Sequence, residues 1–179
     1  YMGWPVELFV HTPESYKRYF ASDAQRRAPI LARMCLGRVL KDVDGMARQV
    51  QQDAEALISA GPEPLTQFEL DFHRYMLTDL LDDFEGSERP EETAFIAPLL
   101  LERSVELLLA INRKWTGKGK WLARALDALD PKLTRRAVDA IQAYHKTGDR
   151  EPLASFARYV LEAAGGPLWE GFRAAGRKA

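Results

Sequence analysis

The side chains whose types and spacing best suit chemistry gather in one short stretch. Lys114, Lys118 and Lys120 surround Gly117 and Gly119 in Asn112-Arg113-Lys114-Trp115-Thr116-Gly117-Lys118-Gly119-Lys120-Trp121. Ammonium groups on a flexible turn that opens a helix suit a nucleoside triphosphate, because both the cations and the free N–H groups of a helix start attract phosphate oxygens. The stretch reads equally as a solvated interhelical loop, with Trp115 and Trp121 covering the core. It is not a Walker loop, since no Gly-Lys-Ser/Thr run is present.

Asp79 is the second candidate. On a helical wheel of residues 65–84 the apolar arc carries Leu65, Phe68, Phe72, Tyr75, Met76 and Leu80, and Asp79 falls between Phe68 and Phe72 in angle. Asp71, Arg74, Thr78 and Asp82 fall on a narrow polar face. A carboxylate on an apolar arc needs a partner, because burying it alone is costly. It is then either half of a structural ion pair or helix-end contact, or a cleft carboxylate for a cationic or hydroxyl-bearing substrate. The remaining reactive residues form no set. His11, His73 and His145 share no metal-ligand spacing. Cys35 is the only cysteine, which excludes an intrachain disulfide and a zinc knuckle. Asp42-Val43-Asp44 reads as turn and cap chemistry.

These residues must be held by helices. The pattern Val43, Met46, Ala47, Val50, Ala54, Leu57, Ile58 is one helical stripe, closed by Gly61-Pro62. Thr66 and Glu69 have capping-box spacing and open a helix to about Phe84. A long helix over 91–114, kinked or restarted at Pro98, is apolar on most faces across 99–111 and is expected at the centre. Helices over 120–129, from Asp130-Pro131 to about Tyr144, and over 149–164 follow. Gly165-Gly166-Pro167 stops the last, and an amphipathic turn carries Leu168, Trp169 and Phe172. Upstream, residues 4–10 read as a strand, since Val6, Leu8 and Val10 alternate with Glu7 and Phe9. Thr12-Pro13 caps a helix, a second runs through Ile30, Leu31, Met34 and Cys35 to Gly37, and Val39-Leu40 reads as a short strand. The expected fold is mainly α: a small α/β remnant over residues 1–42, then an antiparallel helical bundle over 43–179. A lone strand needs a sheet, so 4–10 is expected to pair with Val39-Leu40, with a second copy, or with polypeptide upstream.

Composition narrows the class. The chain has 179 residues, 46% hydrophobic and 28% charged, with a formal net charge of -1. That balance creates no field favouring nucleic acid or an anionic membrane, and neither is expected as a partner. The longest apolar run, 99–111, is broken by Glu102, Arg103, Ser104 and Glu106 and falls short of the roughly 18 residues a membrane span requires. The lone cysteine fits a reducing compartment, so a soluble, cytoplasmic protein is expected. The chain opens at Tyr1 with Met2 behind it, which is not the pattern of a native start.

Three stretches stand in a suggestive order: Gly3-Trp4-Pro5-Val6-Glu7-Leu8-Phe9-Val10-His11; Gly37-Arg38-Val39-Leu40-Lys41-Asp42 with Asp44-Gly45; and Arg74-Tyr75-Met76-Leu77-Thr78-Asp79-Leu80-Leu81-Asp82-Asp83. Together they resemble a nucleotidyltransferase family of the DNA polymerase β superfamily, the group that includes the aminoglycoside nucleotidyltransferases. The resemblance implies transfer of a nucleoside monophosphate from ATP to a small hydroxyl-bearing acceptor, with Mg²⁺. In that superfamily a Gly-Ser turn precedes an Asp-x-Asp or Asp-x-Glu pair, and a third carboxylate sits on a neighbouring strand. Glu7 matches the third, catalytic and metal-binding, position. Lys120, with Lys118 and Lys114, would reach the nucleotide phosphates, and Asp79 would face the acceptor. The Gly-Ser and the acidic pair belong ahead of Glu7, where six residues stand. Gly86-Ser87 lies far downstream, and Asp42-Val43-Asp44 has the spacing in the wrong order. The chain therefore reads as the C-terminal portion of such an enzyme, with two of the three carboxylates absent. The other reading is a non-catalytic helical binding or oligomerisation module that forms a homodimer or pairs with a separate catalytic chain.

One carboxylate does not hold two divalent ions. Incubated with labelled ATP, Mg²⁺ and a panel of aminoglycosides, the 179-residue chain is expected to transfer no label. Transfer that disappears in Glu7→Ala defeats that expectation.

Overall fold

The computed structural model describes residues 3–173, so the sequence reading at Tyr1 and Met2 lies outside the described residues. Eight helices form among them: α1 (Pro13–Gln25), α2 (Ile30–Cys35), α3 (Met46–Ala60), α4 (Gln67–Gly86), α5 (Pro90–Ile111), α6 (Lys120–Leu129), α7 (Pro131–Thr147) and α8 (Glu151–Ala163). The protein is mainly helical, and none of these helices is long and apolar enough to cross a membrane. Two compact units meet in sequence at Gly61 and Pro62. Helix α3 therefore packs with α1 and α2, and the bundle begins after it, some twenty residues later than the stripe from Val43 suggests.

Local chemistry sets the first unit. Thr12 and Ser15 form a reciprocal capping box, with Ser15 N–H donating to Thr12 Oγ1 at 3.2 Å and Thr12 N–H to Ser15 Oγ at 2.8 Å. Buried Asp23 accepts the Leu31 N–H at 2.9 Å and pairs with Arg26 at 2.7 Å, which ties the end of α1 to α2. Asp44 accepts from Met46 N–H, and Asp42 from Ala47 and Arg48 N–H, at the start of α3. Asp42-Val43-Asp44 is thus cap chemistry, as its spacing predicts. A small core of Tyr16, Phe20, Leu31, Ala32 and Ala54 closes the unit.

The strands do not form. Residues 4–10 have no regular structure, and Val6, Leu8 and Val10 are exposed, as are Val39 and Leu40. Alternation supplies an apolar face, but a ladder also needs donors and acceptors on a second strand. The Val39-Leu40 dipeptide is too short to supply them. Among the described residues the α/β remnant over residues 1–42 is therefore two helices and irregular chain, with no sheet.

The second unit is organised around α5, which contacts α4, α6, α7 and α8. Its Ala97, Leu100, Leu107 and Leu109 are almost wholly buried, as the apolar run predicts. Pro98 lies inside α5 without ending it. The antiparallel pair α4 and α8 is held at both ends by arginine. Arg150, at the start of α8, donates to the carbonyls of Phe84 at 3.1 Å and Ser87 at 2.7 Å, where α4 ends. Arg74 of α4 donates through Nε to Gly166 O at 2.9 Å and through Nη2 to Gly165 O at 2.8 Å, where α8 ends. Gly165 and Gly166 take positive φ there, and the Gly166 N–H returns to Leu161 O at 2.8 Å. Tyr144 of α7 donates to Thr93 of α5 at 2.8 Å and meets the Phe84 ring edge-on.

The Tyr16 hydroxyl donates to Asp53 Oδ2 at 2.7 Å, tying α1 to α3. That hydrogen bond pushes the Tyr16 phenol up to about 12 and, with a second from Gln49, holds the Asp53 carboxyl below its ordinary value. A lowered acid contributes stability above its unfolded pKa and loses it as pH falls. A raised phenol contributes below its unfolded pKa of about 10 and loses it as pH rises toward the folded value. Tyr16→Phe is expected to cost about 1–2 kcal/mol between roughly pH 5 and 9, with the gap narrowing on both sides. Chemical denaturation of both proteins across pH measures it; a gap independent of pH would contradict the pairing.

Candidate functional site

Helices α4 and α5 run antiparallel through a turn at 87–89, and their joined ends leave a groove of about 770 Å³. Asp82 and Asp83 line it from α4, and Glu91, Glu92 and Phe95 from α5. The two glutamates are compensated: Arg89 reaches Glu91 at 2.8 Å and Glu92 at 3.1 Å, and Ser87 Oγ donates to Glu92 at 2.8 Å. The Arg89 hydrogen bond and its own backbone N–H hold the Glu91 carboxyl below its ordinary value. Asp82 and Asp83 make no ion pair among the described residues, and Phe95 is 84% exposed. Two uncompensated carboxylates beside an open aromatic face offer hydrogen-bond acceptors and a stacking surface to an amine-bearing ring.

Asp79 does not line this groove. The buried stripe of α4 is Leu77, Thr78, Leu81 and Phe84, and Asp79 is half-buried beside it with no hydrogen bond or ion pair among the described residues. Arg74 and Thr78, read as polar from the wheel, therefore lie on the side that packs, while Asp82 from the same reading stays exposed. Thr78 is only 5% exposed because its hydroxyl donates to Arg74 O at 2.8 Å and accepts the Leu168 N–H at 3.0 Å. Arg74 turns its guanidinium to backbone carbonyls in the same way. The aromatic arc instead stays at the surface, where Tyr75 stacks on Phe172 at 4.7 Å and meets Trp169 edge-on. Phe68 stacks on the same ring, Phe72 meets it tilted by 50°, and both remain half exposed.

Lys114, Lys118 and Lys120 are all exposed. Helix α5 ends in a left-handed residue, Arg113, whose φ of 53° lets Lys114 N–H reach Leu109 O at 2.8 Å. Gly119 then opens α6 at a positive φ, with no side-chain cap. The 22 residues of α5 span about 33 Å, so the lysine loop and the acidic groove lie at opposite ends of that helix. The structure thus does not bring the lysines and the groove together. Glu7 belongs to the other unit and is an exposed, single carboxylate. Among the described residues no three His, Cys, Asp or Glu side chains gather as metal ligands. A lone carboxylate on irregular chain does not fit a two-metal centre.

Sequence reasoning missed the acidic groove. Asp82-Asp83 and Glu91-Glu92 flank a Gly-Ser turn, which is a visible signal, but their convergence depends on how α4 folds back on α5. No protein-family model, curated protein or solved structure matches the chain.

Asp79→Asn and Lys120→Ala are each expected to leave unfolding free energy within about 0.5 kcal/mol of the parent, since neither side chain makes a hydrogen bond or ion pair among the described residues. Arg74→Ala removes two hydrogen bonds to the backbone carbonyls and the 3.0 Å pair with Asp71 from a half-buried cation, and is expected to cost about 2–3 kcal/mol. Thermal and urea denaturation separate the two groups; a large loss in Asp79→Asn would reveal a buried ion pair.

Proposed function

We propose that this chain is the C-terminal, acceptor-holding portion of a nucleotidyltransferase of the DNA polymerase β superfamily. In this reading residues 4–10 join a catalytic sheet built by further polypeptide, and Glu7 supplies its third carboxylate. The helical second unit holds a small acceptor bearing hydroxyl and amino groups. The acceptor hydroxyl attacks the α-phosphorus of ATP, the nucleoside monophosphate is transferred, and pyrophosphate leaves.

The observation that carries the reading is the state of residues 4–10. Val6, Leu8 and Val10 are 59%, 82% and 90% exposed, on a stretch with strand alternation and no ladder among the described residues. Such a segment gains by pairing with a sheet edge, where its backbone groups are satisfied and its apolar side chains covered. The acidic groove of α4 and α5 supports an amine-bearing acceptor. The lysine loop supports phosphate contact only if the catalytic sheet lies at its end of α5. That separation favours the second reading, a helical module that serves a separate catalytic chain without touching nucleotide.

The test uses the product of the full reading frame, assayed with labelled ATP, Mg²⁺ and amino-sugar acceptors. Glu7→Gln is expected to abolish transfer while leaving melting unchanged, because Glu7 is exposed. Amides 6–10 are expected to exchange slowly in that product and fast in the 179-residue chain. Transfer that survives Glu7→Gln excludes the catalytic role. Slow exchange with no transfer in any product assigns the chain to the binding-module reading.

A further inference from the structure

Three helical stripes converge on one side of α5 without closing. Leu101 and Val105 of α5, Leu122 and Leu126 of α6, and Ala137 and Val138 of α7 line a half-open pocket of about 240 Å³. Protein interiors pack nearly as densely as organic crystals, and voids larger than a water molecule are few. A space well above the ~150 Å³ that holds benzene in an apolar interior is large enough for one ring and a short chain. Small groups leave the room. Gly119 forms part of the wall, and a Cβ added there would meet nothing within 4 Å. Pro98 and Ala123 add to the lining without filling it, and Thr134, the one hydroxyl there, donates to Asp130 O at 3.5 Å.

One charge faces this apolar space. Glu102, one turn from Pro98 on the same side of α5, lines the cavity and is half-buried. Its neighbours are otherwise engaged: Arg103 pairs with Glu106 at 2.8 Å, and Ser104 donates to Leu100 O at 2.7 Å. Glu102 itself makes no ion pair or hydrogen bond among the described residues. An unpaired carboxylate at the edge of an apolar cavity favours a cation whose body is apolar, because desolvation on the cavity side strengthens the attraction. Lys118 and Lys120 flank Gly119 in sequence and would favour an anion, but both are exposed and neither lines the cavity.

We propose that the α5–α6–α7 cavity is a binding site for a small apolar amine, its ring or branched chain among the leucines and its ammonium on Glu102. The site stands apart from the acidic groove, which lies at the start of α5 against α4. It does not depend on nucleotidyl transfer.

The experiment titrates the chain with phenethylamine, phenethyl alcohol and phenylacetate, three probes of one shape and different charge, followed by calorimetry and amide chemical shifts. Phenethylamine is expected to bind saturably, about tenfold more tightly than the alcohol, with phenylacetate weakest. In Glu102→Gln the preference for the amine over the alcohol is expected to vanish. Val138→Phe, at the exposed mouth, is expected to weaken both. If Val138→Phe melts early, Glu102→Gln alone decides, since it changes a half-exposed side chain of the same shape. Tighter binding of phenylacetate, an amine preference that survives Glu102→Gln, or no saturable binding of any probe overturns the proposal.

Discussion

Helix ends leave carbonyls without partners, and in the bundle this need is met by exchange between two antiparallel helices. Arg150 begins α8 and takes the carbonyls that end α4, while Arg74 inside α4 takes the carbonyls that end α8. Each helix thereby completes the other, which fixes their relative length and register. Arg158 adds an ion pair to Glu85 and another to Glu151 along the same seam. Because a planar guanidinium donates in fixed directions, lysine at either capping position would not substitute.

With α4 and α8 clamped, α5 is enclosed between them and the α6–α7 pair. Ser104 is fully buried in this helix and returns its hydroxyl to Leu100 O, so even its polar side chain adds no unsatisfied group. Enclosure also separates the ends of α5. The acidic groove forms where α4 turns into α5, and the basic loop forms where α5 passes to α6. Charges that look scattered along the chain are thus sorted by the length of one helix into two distant surfaces.

Much of the local structure was legible in sequence, because it depends on neighbours. Thr12-Pro13, Thr66 with Glu69, Asp130-Pro131 and Gly165-Gly166 mark helix boundaries through bonds that span two to five residues. The central position of α5 also followed from its composition. The helical wheel of α4 misled for a specific reason. It ranks faces by side-chain polarity, whereas Arg74 and Thr78 are buried through hydrogen bonds to backbone at residues 165–168, about ninety positions away.

The strands failed for a complementary reason. Alternation in residues 4–10 states which side chains share a face, but pairing requires a second backbone, and periodicity carries no information about one. The amino-acid sequence by itself determined the helices, their caps and the apolar core helix, since those rest on short-range hydrogen bonds and burial periodicity. Only the tertiary structure decided that α3 joins the first unit, that Asp82 and Asp83 meet the α5 glutamates, that Asp79 lies aside from their groove, and that Glu102 faces a cavity. Each of those is a convergence of residues from different helices, set by crossing geometry and the reach of arginine to a distant carbonyl.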